Sequence, residues 1–127
     1  MDCPKCDSAM EEVTFNNVTV DRCTECKGIW FSGVEHKELK KMKGSETIDT
    51  GDEKQGREYD DMEDVHCPEC DAKMDTIADK FQPHIHYEVC MKGHGAYFDA
   101  GEFKDFKEET LSDFVKSLGM FIKKKKK

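Results

Sequence analysis

Hydrophobic and polar residues alternate with period two in two short stretches near the N-terminus. Val13 and Phe15 are separated by one polar residue, as are Val18 and Val20, and the two stretches flank Asn16-Asn17. Successive strand residues face opposite sides of a sheet and asparagines accept tight-turn backbone, so this pattern predicts a β-hairpin. Ile85, Tyr87 and Val89 alternate in the same way before Cys90 and predict a matching strand. Further along, the period changes. Phe103, Phe106, Leu111, Phe114, Val115, Leu118, Phe121 and Ile122 recur mostly three and four residues apart, with Asp105, Glu108, Glu109 and Asp113 between them. That is the spacing of one helical face. Ser32-Gly33-Val34-Glu35 and Asp99-Ala100-Gly101-Glu102 both fit a capping box, in which the N-cap oxygen and the Glu satisfy backbone donors reciprocally. The expected helices run from Gly33 to Lys43 and from Ala100 to Ile122, the second long and amphipathic.

The pattern also repeats. Cys3-Pro4-Lys5-Cys6 recurs 64 residues later as Cys67-Pro68-Glu69-Cys70. Cys23 recurs as Cys90, Gly28-Ile29-Trp30-Phe31-Ser32 as Gly95-Ala96-Tyr97-Phe98-Asp99, and Glu35 as Glu102, all at an offset of 67. The second copy therefore holds three additional residues, expected within Phe81-Gln82-Pro83-His84. Such a repeat implies one structural unit used twice. The expected organisation is a first unit with a short helix at 1–43, a linker at 44–66, a second unit with the long helix at 67–122, and a lysine tail at 123–127. The linker carries nine acids and two bases and reads as a solvated, self-repelling segment. The alternative is an acidic docking segment for a basic partner.

Composition explains why such units need help to fold. Of 127 residues, 36% are hydrophobic and 38% charged, the net charge is −8, and the mean hydropathy is −0.82. This chain is too polar for one large apolar core, and domains below about 70 residues usually depend on disulfides, metals or partners. Seven cysteines rule out a fully paired disulfide framework in a monomer. No run approaches the ~18 apolar residues of a membrane span. The start Met1-Asp2-Cys3-Pro4 lacks the basic and apolar regions of a signal peptide. The expected compartment is the reducing cytoplasm, where paired cysteines are more often metal ligands or redox centres.

The cysteine spacing points to zinc. Copy one reads Cys3-x2-Cys6-x16-Cys23-x2-Cys26, and two C-x2-C pairs joined by a hairpin present four thiolates to one tetrahedral ion. A pair of thioredoxin-like redox motifs would require a βαβ context, which the pattern lacks. Gly28 suits a turn where a side chain would obstruct backbone approach. Copy two offers Cys67, Cys70 and Cys90, then Gly93 where the counterpart of Cys26 belongs. His94 follows, and the longer imidazole spans a one-residue offset, giving three thiolates and one nitrogen with every cysteine used. His84 and His86 are the competing fourth ligands, and a site that has lost its metal is the bland alternative. His36 and His66 read as solvent-exposed bystanders. Two Zn2+ per chain are expected.

At these residues the chain resembles the transcription-factor-IIB-type zinc-finger family of small bacterial proteins, built on the zinc ribbon. That pattern is roughly C-P-x-C, an amphipathic hairpin, then C-x2-C-x-G-x-W with a hydrophobic residue and a later Glu. Copy one matches in Cys3-Pro4-Lys5-Cys6 and in Cys23 to Phe31 with Glu35; copy two departs at Gly93/His94 and has Tyr97 for the tryptophan. The resemblance implies a small metal-stabilised α+β fold of two tandem zinc ribbons, each followed by a helix. The family name suggests transcription.

Charge weighs against nucleic acid as the main ligand. The first copy has eight acids and seven bases, and the second, through Ile122, eleven and six. Without Lys123–Lys127 (+5) the chain carries −13, and a duplex binder normally shows a basic stripe. Only Lys37, Lys40, Lys41, Lys43 and the lysine tail are locally basic. Trp30-Phe31 and Tyr97-Phe98 suit base stacking, but fit better as small cores between sheet and following helix. Glu35 and Glu102 read as caps rather than catalytic acids, and no open coordination site is evident, so an enzyme is not expected. The stripe from Phe103 to Ile122 packs over both ribbons, docks a protein partner or second copy, or lies on a membrane with Lys123–Lys127 at anionic lipid. The leading expectation is a cytoplasmic, non-enzymatic zinc protein acting as an adaptor. The alternatives are transcription-related nucleic-acid binding and a redox- or zinc-responsive sensor.

Overall fold

Asn16 and Asn17 both adopt left-handed backbone, with φ of 46° and 68°. A two-residue turn of this kind has the twist that joins two antiparallel strands. It links β1 (Met10–Phe15) to β2 (Val18–Cys23), placing Val13 opposite Val20 and Phe15 opposite Val18. The chain continues through β3 (Ile29–Ser32), α1 (Glu35–Lys40), a 3-10 turn (Ser45–Ile48), α2 (Glu53–Asp60), β4 (Asp75–Ala78), β5 (His86–Val89) and β6 (Gly95–Phe98). A helical turn follows at 102–106. The computed structural model describes residues 1–60, 62, 64–79 and 85–106. The expected helix beyond 106, including Leu111 to Ile122 and the tail Lys123–Lys127, lies outside the described residues.

The six strands form one sheet in the order β1-β2-β3-β6-β5-β4, so the two units join through β3 and β6. Ile29 pairs with Phe98, Trp30 with Tyr97, Phe31 with Ala96 and Ser32 with Gly95. Tyr97 is also the repeat counterpart of Trp30. The Trp30–Tyr97 pair therefore sits on an approximate two-fold axis relating the copies. Registers obey the same relation: Asp21 opposite Trp30 becomes Glu88 opposite Tyr97, and Thr14 opposite Thr19 becomes Ala78 opposite His86. The three additional residues thus fall between Ala78 and His86; residues 80–84 themselves lie outside the described residues.

Strand alternation divides the apolar residues between the two sides of this sheet. One cluster holds Ile29, Phe31, Ala96 and Phe98 with Val20, Leu39, Ile48, Ile85, Phe103 and Phe106. The other holds Trp30, Tyr97, Val65 and Met74 among the cysteines. The aromatic pairs are therefore split between faces rather than each forming its own ribbon's small core. Phe31 and Phe98 meet edge to face at 5.3 Å, and Phe103 lies 4.8 Å from Phe31. The start of the expected amphipathic stripe, Phe103 and Phe106, is core shared by both copies.

The acidic segment departs from the expected solvated linker. Ile48 and Val65 are buried, and α2 starts with a reciprocal capping box: Asp52 N–H donates to Gln55 Oε1 and Gln55 N–H to Asp52 Oδ1. Asp49 is buried and accepts from Gly101 N–H and Lys104 N–H, capping the helical turn of the second copy. That replaces the expected role of Asp99, whose carboxylate instead binds Lys5. In the first copy only half of the expected box forms: Ser32 N–H donates to Glu35 Oε1, while Ser32 Oγ turns toward Glu69. α1 is also shorter than Gly33 to Lys43.

Candidate metal centres

Each C-P-x-C segment is bent into the same knuckle. Cys3 N–H donates to Ser8 O and Asp7 N–H to Cys3 O, and their counterparts are Cys67 N–H to Ala72 O and Asp71 N–H to Cys67 O. Asp7 and Asp71 take left-handed backbone, φ 67° and 62°, at matching places. The second knuckles also close identically, by Cys23 N–H to Gly28 O and Cys90 N–H to Gly95 O. Inside that closure the two copies differ. Lys27, just after Cys26, is left-handed in the first, whereas Gly93, just before His94, is left-handed in the second at φ 90°. The shifted bend presents residue 94 rather than 93 to the cluster, which accounts for the offset between Cys26 and His94.

The knuckles gather two four-membered sets, Cys3, Cys6, Cys23, Cys26 and Cys67, Cys70, Cys90, His94, with the ligand atoms of each set within 4.8 Å of one another. Sulfur separations are 3.7 Å for Cys3–Cys26, 3.3 Å for Cys6–Cys23 and 3.7 Å for Cys70–Cys90, and His94 Nδ1 lies 3.4 Å from Cys90 Sγ. A tetrahedron with Zn–S arms of ~2.3 Å has edges of roughly 3.8 Å, so both sets fit zinc. Two zinc ions per chain match these two clusters. Cys23 Sγ faces the N–H groups of Glu25 and Cys26, and Cys67 Sγ that of Glu69, each at 3.4 Å. These amides support negative charge on sulfur.

The thiols are poised for a cation. The neighbouring Cys26 and the Tyr97 hydroxyl overcome burial and bring Cys3 down to about 5, whereas Cys26, beside the first thiolate and buried, is pushed up. Burial raises Cys67 to about 11. Burial acts upward on Cys90 too, but the N–H groups of His94 and Lys92 and the His94 ring bring it down to about 6. Cys3 and Cys90 thus form thiolates readily, whereas Cys23, Cys26 and Cys67 need the compensating charge of a metal.

The remaining histidines separate cleanly. His86 lies on β5 and its backbone N–H donates to Glu102 Oε1; it is in neither set. His84 lies outside the described residues. His66 is half-buried as a residue, with a side chain 44% exposed whose ring sits on Asp71 O and Asp64 Oδ1. His36 is not an exposed bystander: it is 6% exposed and sits 5.7–6.4 Å from the rings of Phe31, Tyr87, Phe98 and Phe106. Its helical position beside Leu39, under the same core, was the available signal.

The two sites are stitched together across the axis. Lys5, in the first knuckle of site one, forms ion pairs with Glu88 at 2.6 Å and Asp99 at 2.8 Å and donates to Tyr59 O. Its counterpart Glu69, in site two, accepts from Trp30 Nε1 at 3.0 Å. Tyr97 Oη lies 3.2 Å from Cys3 Sγ and 3.3 Å from Cys26 Sγ. A cleft of about 580 Å3 runs between the first knuckles, lined by Asp2, Asp7, Asp64, His66, Glu69 and Asp71.

Residues 2–44 match the family described as "Transcription factor zinc-finger", a zinc ribbon of the TFIIB type. The match covers the first unit, and the second rests on its ligand geometry. No curated protein matches the chain. No solved structure matches it either. Among the described residues, no helix is long and apolar enough to cross a membrane.

Proposed function

We propose that the chain is a non-enzymatic zinc protein whose two metals are structural and whose role is to bind another protein. The observation that carries this reading is the pair of complete ligand sets. Four protein ligands fill a tetrahedral zinc shell, whereas a catalytic zinc keeps a position open for water or substrate. In each set the metal would fix two knuckles against one another and supply the cohesion that a small polar unit lacks.

Acidity supports a protein rather than a phosphate partner. Four thiolates with Zn2+ sum to −2 and three with a neutral imidazole to −1, so both loaded sites take the chain from −8 to about −11. The cleft between the knuckles is lined by five carboxylates and His66. We place the partner contact on the apolar positions from Leu111 to Ile122, because Phe103 and Phe106 are committed to the core. The test is affinity capture with the zinc-loaded chain, comparing the full sequence with a form ending at Phe106. A partner, or a second copy, that binds only the full sequence supports the reading. Equal capture by both forms removes the role from that segment.

The family match at 2–44 favours a second reading, transcription-related nucleic-acid binding. The lysines Lys37, Lys40, Lys41 and Lys43 would supply the contact. Gel shifts at low salt with single- and double-stranded DNA and RNA decide it, and binding that vanishes with those lysines replaced by Gln would establish it.

A further inference from the structure

We infer that the Tyr97 hydroxyl, carried by the second ribbon, is an outer-sphere hydrogen-bond donor to the Cys3 and Cys26 thiolates of the first site, so that site one is complete only when β6 is docked on β3. This inference rests on the zinc reading and concerns how tightly one of the two metals is held.

Tyr97 is 0% exposed, so water does not satisfy its hydroxyl. The partners of Oη are the two sulfurs, at 3.2 and 3.3 Å. A metal-bound thiolate has no proton, so in the loaded site the phenol must donate and sulfur accept. The fold also makes room for it. A Cβ on Gly28 would come within 1.9 Å of Oη and 2.4 Å of Cζ, so the phenol rests directly on the turn after Cys26. Gly28 thus serves an approaching side chain from the other copy as well as its own knuckle.

The relation is asymmetric. Across the axis, Trp30 presses on Gly95, where a Cβ would lie 2.7 Å from its Cζ2. Its indole N–H is directed to the Glu69 carboxylate, not to a sulfur. Both ligand sets are local to their own copy, and site one in addition borrows a hydrogen-bond donor from the other. Lys5, next to the Cys3 knuckle, adds a second tether through Glu88 and Asp99 of the second ribbon. Groups that hydrogen-bond metal ligands typically change affinity by about 10- to 100-fold.

The experiment uses the full zinc-loaded chain and its Tyr97→Phe variant. Zinc content is measured first, and fewer than two ions in the wild type would overturn the zinc reading itself. Chelator-driven release is then followed by alkylation, with mass spectrometry assigning each cysteine to a site. The variant should retain two zincs and lose the site-one ion about 10-fold faster, with Cys67, Cys70 and Cys90 protected as before. In the cobalt-substituted protein its sulfur-to-metal charge-transfer band should move to longer wavelength, because an unbonded thiolate holds its electrons less tightly. Unchanged release and an unshifted band would overturn the inference, as would equal acceleration at both sites, which marks a general loss of stability. Should Tyr97→Phe not fold, proton NMR of the loaded wild type decides. A hydroxyl proton protected from exchange, with cross-peaks to the β-protons of Cys3 or Cys26, supports the inference, and its absence overturns it.

Discussion

His36 shows what a single buried titratable residue does to the acid response of this fold. Burial among four aromatic rings, with Lys37 and Lys40 nearby, lowers its pKa from 6.5 to about 4. The neutral ring is the folded form, so between pH 6.5 and 4 the unfolded chain binds the proton more readily. Stability at this residue is complete above 6.5 and falls as pH drops, at up to about 1.4 kcal/mol per pH unit. His36→Phe should flatten this part of the profile. Denaturant titrations of both proteins in excess zinc at several pH values measure it, since metal loss on acidification is then common to both. Lys5 is the opposite case. Burial opposes its charge, but Asp99 and Glu88 outweigh burial and raise its pKa. Lys5→Met removes the cation that both buried carboxylates bind and should destabilise by roughly 3–5 kcal/mol. Adding Glu88→Gln and Asp99→Asn should recover part of that loss in the same denaturation assay.

At the scale of elements, local signals were legible and distant partners were not. The period-two hairpin around Asn16-Asn17 and the C-x2-C knuckles are dictated by neighbours in sequence, and both form where expected. His94 was reachable because the repeat fixed the loop length. The acidic segment was misleading, because its composition speaks of solvation while three small or short residues determine its place. Asp49 finds two free amides at 101 and 104. Gly51 and Gly56 let the segment pass Ala100 so closely that a Cβ would fall 2.4 Å from its Cβ or 2.2 Å from its carbonyl oxygen. Asp52-x-x-Gln55 was a readable helix start that the surrounding charge obscured. Asp49→Ala should cost about 1 kcal/mol through the lost cap. Gly56→Ala should cost more, since the clash is with backbone. Thermal melts of both variants, with zinc content checked, test the order.

For the whole molecule, metal and sheet are coupled terms in one stability. The apolar cluster on the metal face is made of the ligands themselves with Trp30, Val65, Met74 and Tyr97, so removing zinc removes the pins of that layer. Chelation should cause cooperative loss of near-ultraviolet signal from Trp30 and Tyr97, reversed by adding back two equivalents of zinc. Retention of that signal after complete zinc removal would show that the aromatic layer packs without metal. The join between β3 and β6 was not legible, because a lone ribbon satisfies every local rule. Only the presence of two unpaired inner edges in one chain makes their union favourable.

The approximate two-fold through Trp30 and Tyr97 has a consequence for concentration. Each half presents its inner strand to the other as a subunit would, but the chain between them holds the local concentration near the millimolar range at any dilution. The assembly behaves as a dimer without a dissociation equilibrium. Lys5 on one side and Glu69 on the other also make its two halves non-interchangeable: two second halves would set Glu69 against Glu88 and Asp99. The repeat is thereby held to a single pairing, set by Lys5 on one side of the axis and Glu69 on the other.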